Sequence, residues 1–206
     1  MNLLPCRSRR AAAVALLALA AGLGACDKLV PGRTVSFKAV DVTGAEYGRT
    51  LAMTDAEGQA RTLADFKGKV SVVFFGYTHC PDVCPTTLAE LAEVKAMLGK
   101  DGERVQAVFV TVDPERDTPE LLKAYMANFG PGFTGLRGTP EQTAAAAREF
   151  KVFYMKVPGK TEGSYTVDHT AGSYVIDAQG RLRLFARYGM PAADLAADLR
   201  QLLAEG

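Results

Sequence analysis

The sequence predicts an α/β fold in which a central mixed sheet is flanked by helices. Two uncharged apolar runs, Val70 to Phe75 and Val105 to Val112, have the composition of strands buried on both faces. A helical pattern from Thr86 to Leu98 lies between them, so the two strands should be parallel. Later in the chain, Ser173–Ile176 and Leu182–Ala186 flank a short turn and should form an antiparallel hairpin.

The other elements complete a recognisable order. Asp117 is expected to cap a helix that runs to about Phe129, with Glu120 at the capping-box position. The remaining predictions are an N-terminal β extension (Phe37 to Val42, Leu51 to Thr54), a hairpin turn (Asp55 to Gly58), short extended segments (Thr134 to Gly138, Val152 to Val157) and helices (Pro140 to Phe150, Pro191 to Leu203). The order βαβ, helix, helix, ββ, helix is the thioredoxin arrangement. Residues 36–206 are therefore predicted to be one thioredoxin-like domain.

The N-terminus is predicted to be a secretory leader rather than part of the fold. Three arginines precede an apolar run at residues 11–23, which is shorter than the roughly 20 residues of a membrane span. The sequence Leu-Gly-Ala-Cys at residues 23–26 resembles the lipobox of bacterial lipoproteins. That resemblance implies cleavage after residue 25, a lipid on Cys26, a tether over residues 26–35, and, with Asp27, retention at the periplasmic side of the inner membrane.

Charge and cysteine content narrow the possible functions. Removal of the three leader arginines changes the formal net charge from +1 to −2, which argues against a nucleic-acid partner. Cys6 would leave with the leader, and Cys26 would carry the lipid. Only Cys80 and Cys84 would then remain as thiols, in an oxidising compartment where unprotected thiols pair.

Cys80 and Cys84 lie where the first buried strand gives way to a helix. Positions four apart in a helical turn point the same way, so both sulfurs can converge on a metal ion or on each other. The positive end of the helix is expected to lower the pKa of a nearby thiol. A purely structural disulfide is the weaker alternative, because such bridges usually close longer loops.

Two histidines are present in the chain, His79 and His169. His79 adjoins Cys80, and its side chain should point away from the sulfurs. His169 follows a loop with two glycines, at the entrance to the hairpin strand that the fold places near the cysteine turn. Two thiolates and one imidazole suit Cu(I), Cu(II) or zinc. A closed zinc site uses four protein ligands, and the three found here favour copper.

Three segments together resemble a known family. FFGYTHCPDVCPTTL, VTVDPERDTPE and VDHTAGSYVID, in this order, are similar to the motifs of the Sco/SenC family of copper chaperones for cytochrome oxidase. The resemblance covers most of the chain after the leader. It implies a thioredoxin-like fold and delivery of copper, or of electrons, to the dinuclear copper centre of oxidase subunit II. A periplasmic copper donor or thiol reductant is a further expected partner.

The resemblance also implies roles for particular residues. Cys80, Cys84 and His169 would bind Cu(I) or Cu(II). Asp113 and Asp117 belong to the family pattern; Asp113 is expected to influence the site or the partner surface, without being a metal ligand. Tyr77 has two interpretations, a docking residue and a core aromatic.

Other functions fit the same cysteines less well. A thiol–disulfide oxidoreductase would use one thiolate to attack and the other to resolve, but its usual motif has two residues between the cysteines and this chain has three. A peroxidase of the peroxiredoxin type needs Thr or Ser three residues before the cysteine, where Tyr77 stands. A lipoprotein scaffold without chemistry leaves the paired thiols and His169 without a purpose. We therefore expect a metallochaperone rather than an enzyme, with thiol–disulfide oxidoreductase activity as the alternative.

Overall fold

The computed structural model describes residues 36–206, which form one compact unit. The predicted leader (1–25), the tether (26–35) and the lipid on Cys26 lie outside the described residues. Among the helices of residues 36–206, none has both the length and the apolar content that crossing a bilayer requires.

Ten strands and four α-helices build the described part of the chain. The strands are β1 (Val40–Asp41), β2 (Ala52–Asp55), β3 (Ala60–Thr62), β4 (Val70–Gly76), β5 (Val105–Thr111), β6 (Phe133–Arg137), β7 (Tyr154–Pro158), β8 (Tyr165–His169), β9 (Ser173–Ile176) and β10 (Leu182–Ala186). The helices are α1 (Val83–Met97), α2 (Pro119–Ala127), α3 (Pro140–Glu149) and α4 (Ala192–Glu205), with short 3-10 segments at Leu63–Phe66 and Gly99–Arg104.

Eight strands form the main sheet in the order β1-β10-β9-β4-β5-β6-β2-β3. The central strands β4, β5 and β6 are parallel, whereas β9 runs antiparallel to β4. Every residue of β4 and β5 is buried, which is why these strands are mainly apolar and lack the polar alternation of a half-exposed strand. The predicted mixed sheet is confirmed.

Helices cover both faces of this sheet. One core cluster joins α1 and α4 to the sheet through residues such as Leu91, Leu199 and Val72. A second cluster joins α2 and α3 to the sheet and contains Leu122 and Val73. Since successive side chains of a strand point to opposite faces, the assignment of Val72 and Val73 to different clusters places the clusters on opposite sides.

Some boundaries differ from the prediction. The strand predicted at Phe37 to Val42 is reduced to Val40–Asp41. Helix α1 begins at Val83 rather than at Thr86, so Cys84 lies inside its first turn. Pro85 does not prevent this, because the N–H groups of the first turn have no helical partner to lose.

Strand β8 was not predicted. It pairs with β7 in a separate two-stranded sheet, with Tyr154 opposite His169. The sequence gives little signal for β8, because Thr166 and Asp168 are exposed and Val167 is its one fully buried side chain. His169 therefore ends a strand of its own instead of opening the β9–β10 hairpin.

The topology brings two loops to one edge. The cysteine turn follows the carboxyl end of β4, and Asp113 follows the carboxyl end of β5. Ligands of open α/β sheets bind beyond the carboxyl ends of parallel strands. The cysteine turn and Asp113 occupy that edge.

Candidate metal centre

The two cysteines are held by different elements of the strand-to-helix connection. Cys80 lies in the turn after β4, where its backbone N–H donates to the carbonyl oxygen of Tyr77 at 3.2 Å. Cys84 lies in the first turn of α1, and its backbone N–H donates to Sγ of Cys80 at 3.4 Å. Both are free thiols, with Cys84 buried and Cys80 partly exposed. The predicted convergence of the sulfurs is present in the structure.

His169 meets the same two sulfurs from β8. Its Nε2 lies 3.4 Å from Sγ of Cys84. Its Nδ1–H donates to the carbonyl oxygen of Thr170 at 3.1 Å, an arrangement that leaves the lone pair of Nε2 facing the sulfurs. The two sulfurs and one imidazole nitrogen lie within 4.8 Å of one another.

This donor set suits a soft or borderline metal. Within residues 36–206, Cys80, Cys84 and His169 are the one group of three or more His, Cys, Asp or Glu side chains arranged to hold an ion. Thiolate and imidazole donors select copper or zinc over magnesium and calcium. Because three protein donors leave a coordination position for a partner, the set fits exchange of an ion better than a closed structural zinc site.

Gly76 makes room for the Cys84 sulfur. A Cβ atom at this position would lie 2.7 Å from Sγ of Cys84 and 2.9 Å from the Phe109 ring. Real Cβ atoms do not approach other heavy atoms so closely. The glycine at the end of β4 is therefore required by the packing of the thiol beneath it.

Aromatic side chains enclose the imidazole. The rings of Phe74 and Tyr77 meet His169 edge to face, at centroid separations of 5.8 Å and 6.0 Å. Burial among these groups lowers the pKa of His169, although the Thr170 carbonyl and the charge of Asp168 act in the opposite direction. The imidazole is therefore neutral at neutral pH, the form that binds metals.

The expectation of a lowered thiol pKa is wrong for Cys84. Burial raises the pKa of its thiol far above the ordinary value, and the neighbouring Cys80 sulfur adds to the effect. The loss of hydration outweighs the positive end of α1, because the charged thiolate would be removed almost completely from water. Metal binding at this site must therefore displace the Cys84 proton.

His79 lies outside the group of three donors. Its Nδ1 is 3.1 Å from Oγ1 of Thr78 and 3.8 Å from a carboxylate oxygen of Asp117, and about half of its side chain is exposed. The expectation that its side chain points away from the sulfurs agrees with this placement.

Asp117 does not cap α2. Thr118 is the N-cap residue, and its side chain accepts from the backbone N–H of Leu121. The fully buried carboxylate of Asp117 instead accepts from the backbone N–H and hydroxyl of Thr78 and from the hydroxyl of Thr111. Asp117 thus ties the turn that carries Cys80 to the end of β5.

Tyr77 is a core aromatic rather than a docking residue, since it is only 2% exposed. The surface next to the metal centre is instead an open groove of about 590 Å³. The groove is lined by residues of the cysteine turn and of the β8 region, among them Cys80, Pro81, Asp82, Val83, Phe153 and His169. Phe153 is 60% exposed there, and the sequence offered no signal for it.

Comparisons with known proteins agree with this architecture. Residues 41–204 match the family model described as SCO1/SenC. The SCO2-like protein of Rickettsia felis is 39% identical over 137 residues, which cover 66% of this chain and 67% of the relative. The solved structure of Bradyrhizobium japonicum ScoI with copper bound is 44% identical with a TM-score of 0.69, covering 76% of this chain and 99% of that one. The apo Sco1 protein from Thermus thermophilus is 40% identical with a TM-score of 0.72, covering 83% of this chain and 99% of that one.

The two structural matches confirm the predicted thioredoxin-like fold. The family match extends from the second residue of β1 almost to the end of α4 and so includes all three candidate ligands. This chain belongs to the SCO1/SenC family.

Proposed function

We propose that this chain is a copper-binding assembly factor for cytochrome c oxidase that delivers copper to the dinuclear copper centre of subunit II. The observation that carries the proposal is the convergence of Cys80, Cys84 and His169 within 4.8 Å, although His169 is 85 residues from Cys84. A relative with 44% identity has a solved structure with copper bound. The thiolate and imidazole donors of this chain suit copper, which is the metal bound in the structure of that relative.

The exposure of the ligands supports transfer rather than storage. Cys84 is buried, whereas Cys80 and His169 line the open groove. A donor group of the partner that enters this groove can replace the accessible ligands one at a time while Cys84 still holds the ion. Neutral His169 contributes its Nε2 lone pair, and the Cys84 thiol releases its proton as the site fills.

The location is proposed from the leader sequence. The lipobox-like segment at residues 23–26 supports a lipid on Cys26 and anchoring at the periplasmic side of the inner membrane. Anchoring would keep the groove near a membrane-embedded oxidase. It would also place the two thiols in an oxidising compartment, where they need a reductant before each round of metal binding.

The test is a copper titration of the reduced chain without its first 26 residues. One equivalent of Cu(II) should give a thiolate-to-copper charge-transfer band and an electron paramagnetic resonance signal typical of copper with thiolate and nitrogen ligands, and Cu(I) should bind with the same stoichiometry. If neither oxidation state binds at one equivalent, the proposal is wrong. Transfer is then measured by mixing the loaded protein with the metal-free copper domain of subunit II.

A second candidate function is thiol–disulfide exchange. It is favoured by the close approach of the sulfurs and by the partial exposure of Cys80, which suit attack by Cys80 and resolution by Cys84. The two thiols would pass two electrons and two protons to a disulfide in the partner, which becomes a dithiol as Cys80 and Cys84 become a disulfide. This activity does not require His169, and that difference separates the two functions.

A further inference from the structure

Asp113 and Arg116 form an ion pair, with a fully buried carboxylate and a partly exposed guanidinium, that the proposed ligand set does not explain. Both residues lie in the connection between β5 and α2. Asp113 is fully buried, and its carboxylate accepts from Nε of Arg116. A buried carboxylate destabilises a protein unless it is paired and hydrogen-bonded. Because the pair must stay intact in the folded protein, it can hold in place the other residue that both of its members contact, Tyr165.

The ion pair closes a ring of contacts with Tyr165. The Tyr165 hydroxyl donates to Oδ1 of Asp113 at 2.9 Å. Nη1 of Arg116 donates to the backbone carbonyl of Tyr165 at 2.9 Å, and the guanidinium lies over the tyrosine ring, 3.6 Å from its centroid. Tyr165 is thus held through its hydroxyl, its ring and its backbone at once.

This ring of contacts fixes the position of the first residue of the strand that ends in His169. Tyr165 is the first residue of β8 and His169 is the last. In the described structure, β7 and β8 hydrogen-bond as strands only to each other, and not to the main sheet. Side-chain contacts, together with the short connection from His169 to β9, therefore set the distance between β8 and the cysteine turn.

A second set of contacts links the same arginine to the imidazole through the Tyr77 ring. The Arg116 guanidinium carbon is 5.7 Å from the centroid of the Tyr77 ring, which in turn meets the edge of His169 at 6.0 Å and 90°. Arg116 therefore lies between Tyr165, which belongs to β8, and Tyr77, which contacts the imidazole of His169.

We propose that Asp113, Arg116 and Tyr165 are positioning residues that hold His169 against the two sulfurs and thereby set the preference of the site for Cu(II) over Cu(I). The inference rests on the proposed copper binding. Two thiolates satisfy Cu(I), whereas Cu(II) gains more from an imidazole nitrogen. Loosening β8 therefore weakens Cu(II) binding much more than Cu(I) binding.

Two variants test the proposal at different strengths. Arg116→Met removes the hydrogen bonds to Asp113 and Tyr165, and Tyr165→Phe removes only the hydroxyl that donates to Asp113. For Arg116→Met, the Cu(II) dissociation constant should rise by about 10- to 100-fold, the usual effect of losing a group that orients a ligand. The Cu(I) constant should change by less than about threefold, so the reduction potential should rise by about 59 mV per tenfold difference. Tyr165→Phe should raise the ratio of the Cu(II) dissociation constant to the Cu(I) dissociation constant as well, by a smaller factor.

The metal-free protein supplies an independent measurement. In Arg116→Met, amide hydrogen exchange should accelerate in β8, and the ring nitrogen resonances of His169 should lose the pattern of a single Nδ1–H tautomer. These signals report the position of His169 without copper.

Arg61→Met is the matched control. Arg61 donates from Nε to the carboxylate of Asp55 at 2.7 Å, and Asp55 is only 4% exposed. This pair shares a groove with Lys69 and Gln106, at the opposite end of β4 and β5 from the cysteine turn. Arg61→Met should lower the melting temperature without changing the ratio of the two copper affinities.

The outcomes are distinguishable. If Arg116→Met and Tyr165→Phe weaken both copper states equally, or if Arg61→Met changes the affinity ratio as much as they do, the positioning role is wrong. If Arg116→Met does not fold, an unchanged ratio in Tyr165→Phe alone overturns the inference. Failure of the wild-type chain to bind copper would instead overturn the proposed function itself.

Discussion

The sulfur of Cys84, in the first turn of α1, lies 3.4 Å from Nε2 of His169, which follows it by 85 residues and ends a strand of the separate two-stranded sheet. Cys84 is fixed by the first turn of α1, and His169 is fixed by β8. The candidate metal centre is therefore assembled from two parts of the fold that are distant in sequence and that pack on each other through Phe74 and Tyr77.

His169→Ala tests whether the third donor distinguishes copper delivery from thiol reduction. Two thiolates alone tend to reduce Cu(II), whereas Cu(I) is stable with them. We expect the variant to lose the Cu(II)–thiolate charge-transfer band, to keep most of its Cu(I) affinity and to keep dithiol oxidation nearly intact. Oxidase copper-site assembly in cells should fall and should be partly restored by added copper.

His79→Ala is the control for that variant, because His79 lies next to the cysteine turn but outside the donor group. It should bind both copper states like the wild type. Full Cu(II) binding and full oxidase activity in His169→Ala would contradict the three-ligand site and would favour the reductase function.

Cys80 and Cys84 should form a reversible disulfide. Their sulfurs are at most 4.8 Å apart, so small rotations of the two side chains can bring them to the bond length of about 2.05 Å of a disulfide. Thiol counting after mild oxidation should show the loss of two thiols per chain. In the reduced protein, Cys80 should be alkylated faster than Cys84, because burial raises the pKa of Cys84. Two thiols that persist after oxidation would rule the disulfide out.

Cys26→Ser tests the proposed anchor. Without the sulfur that would receive the lipid, the protein should leave the membrane fraction or remain unprocessed. Cell fractionation and mass determination of the N-terminal peptide measure this. Processing and membrane association like those of the wild type would mean that Cys26 carries no lipid.

The sequence was sufficient for those parts of the site that depend on local pattern. The apolar run of β4, Gly76 and the spacing of Cys80 and Cys84 predict a strand, a turn and a helix with converging sulfurs. These features depend on neighbouring residues, so a short stretch of sequence contains them. The fold class was predicted for the same reason.

The parts that the sequence did not predict depend on distant packing. The pKa of Cys84 follows from burial under Gly76 and the aromatic core, which no local motif reveals. Asp117 looks like a helix cap in sequence, but the fold buries it against Thr78 and Thr111. Strand β8 has a single partner strand and exposed polar residues, so its apolar pattern is too weak to indicate a strand.

Gly76→Ala should damage both stability and metal binding. The added methyl group would lie 2.7 Å from Sγ of Cys84, and overpacking of this kind costs about 1–3 kcal/mol. For a domain of this size, each kcal/mol lowers the melting temperature by about 2–4 °C. Copper affinity should fall as well, because the displaced atom is a candidate ligand. Calorimetry and copper titration measure the two effects.

Gly135→Ala provides the comparison for Gly76→Ala. A Cβ atom at Gly135 in β6 would lie 3.2 Å from Cγ of Met126 and 3.3 Å from Cβ of Leu122, which are looser contacts than the 2.7 Å and 2.9 Å contacts at Gly76. This variant should lose less stability and should bind copper like the wild type. If both alanine variants behave alike, the contact between Gly76 and Cys84 has no special importance for the site.

The metal-free protein should lose stability as the pH falls below about 6.5. Burial lowers the pKa of His169 in the folded state, so the unfolded chain binds a proton at a higher pH than the folded chain does. The stability that the neutral imidazole contributes is complete above the unfolded value, and it is lost as the pH falls towards the folded pKa. The charge of Asp168 acts in the opposite direction but ranks below burial. Melting temperatures between pH 8 and about 5 measure the slope, in a range above the ordinary pKa of carboxyl groups. His169→Asn should flatten the profile, and an equally steep profile in this variant would assign the slope to another group.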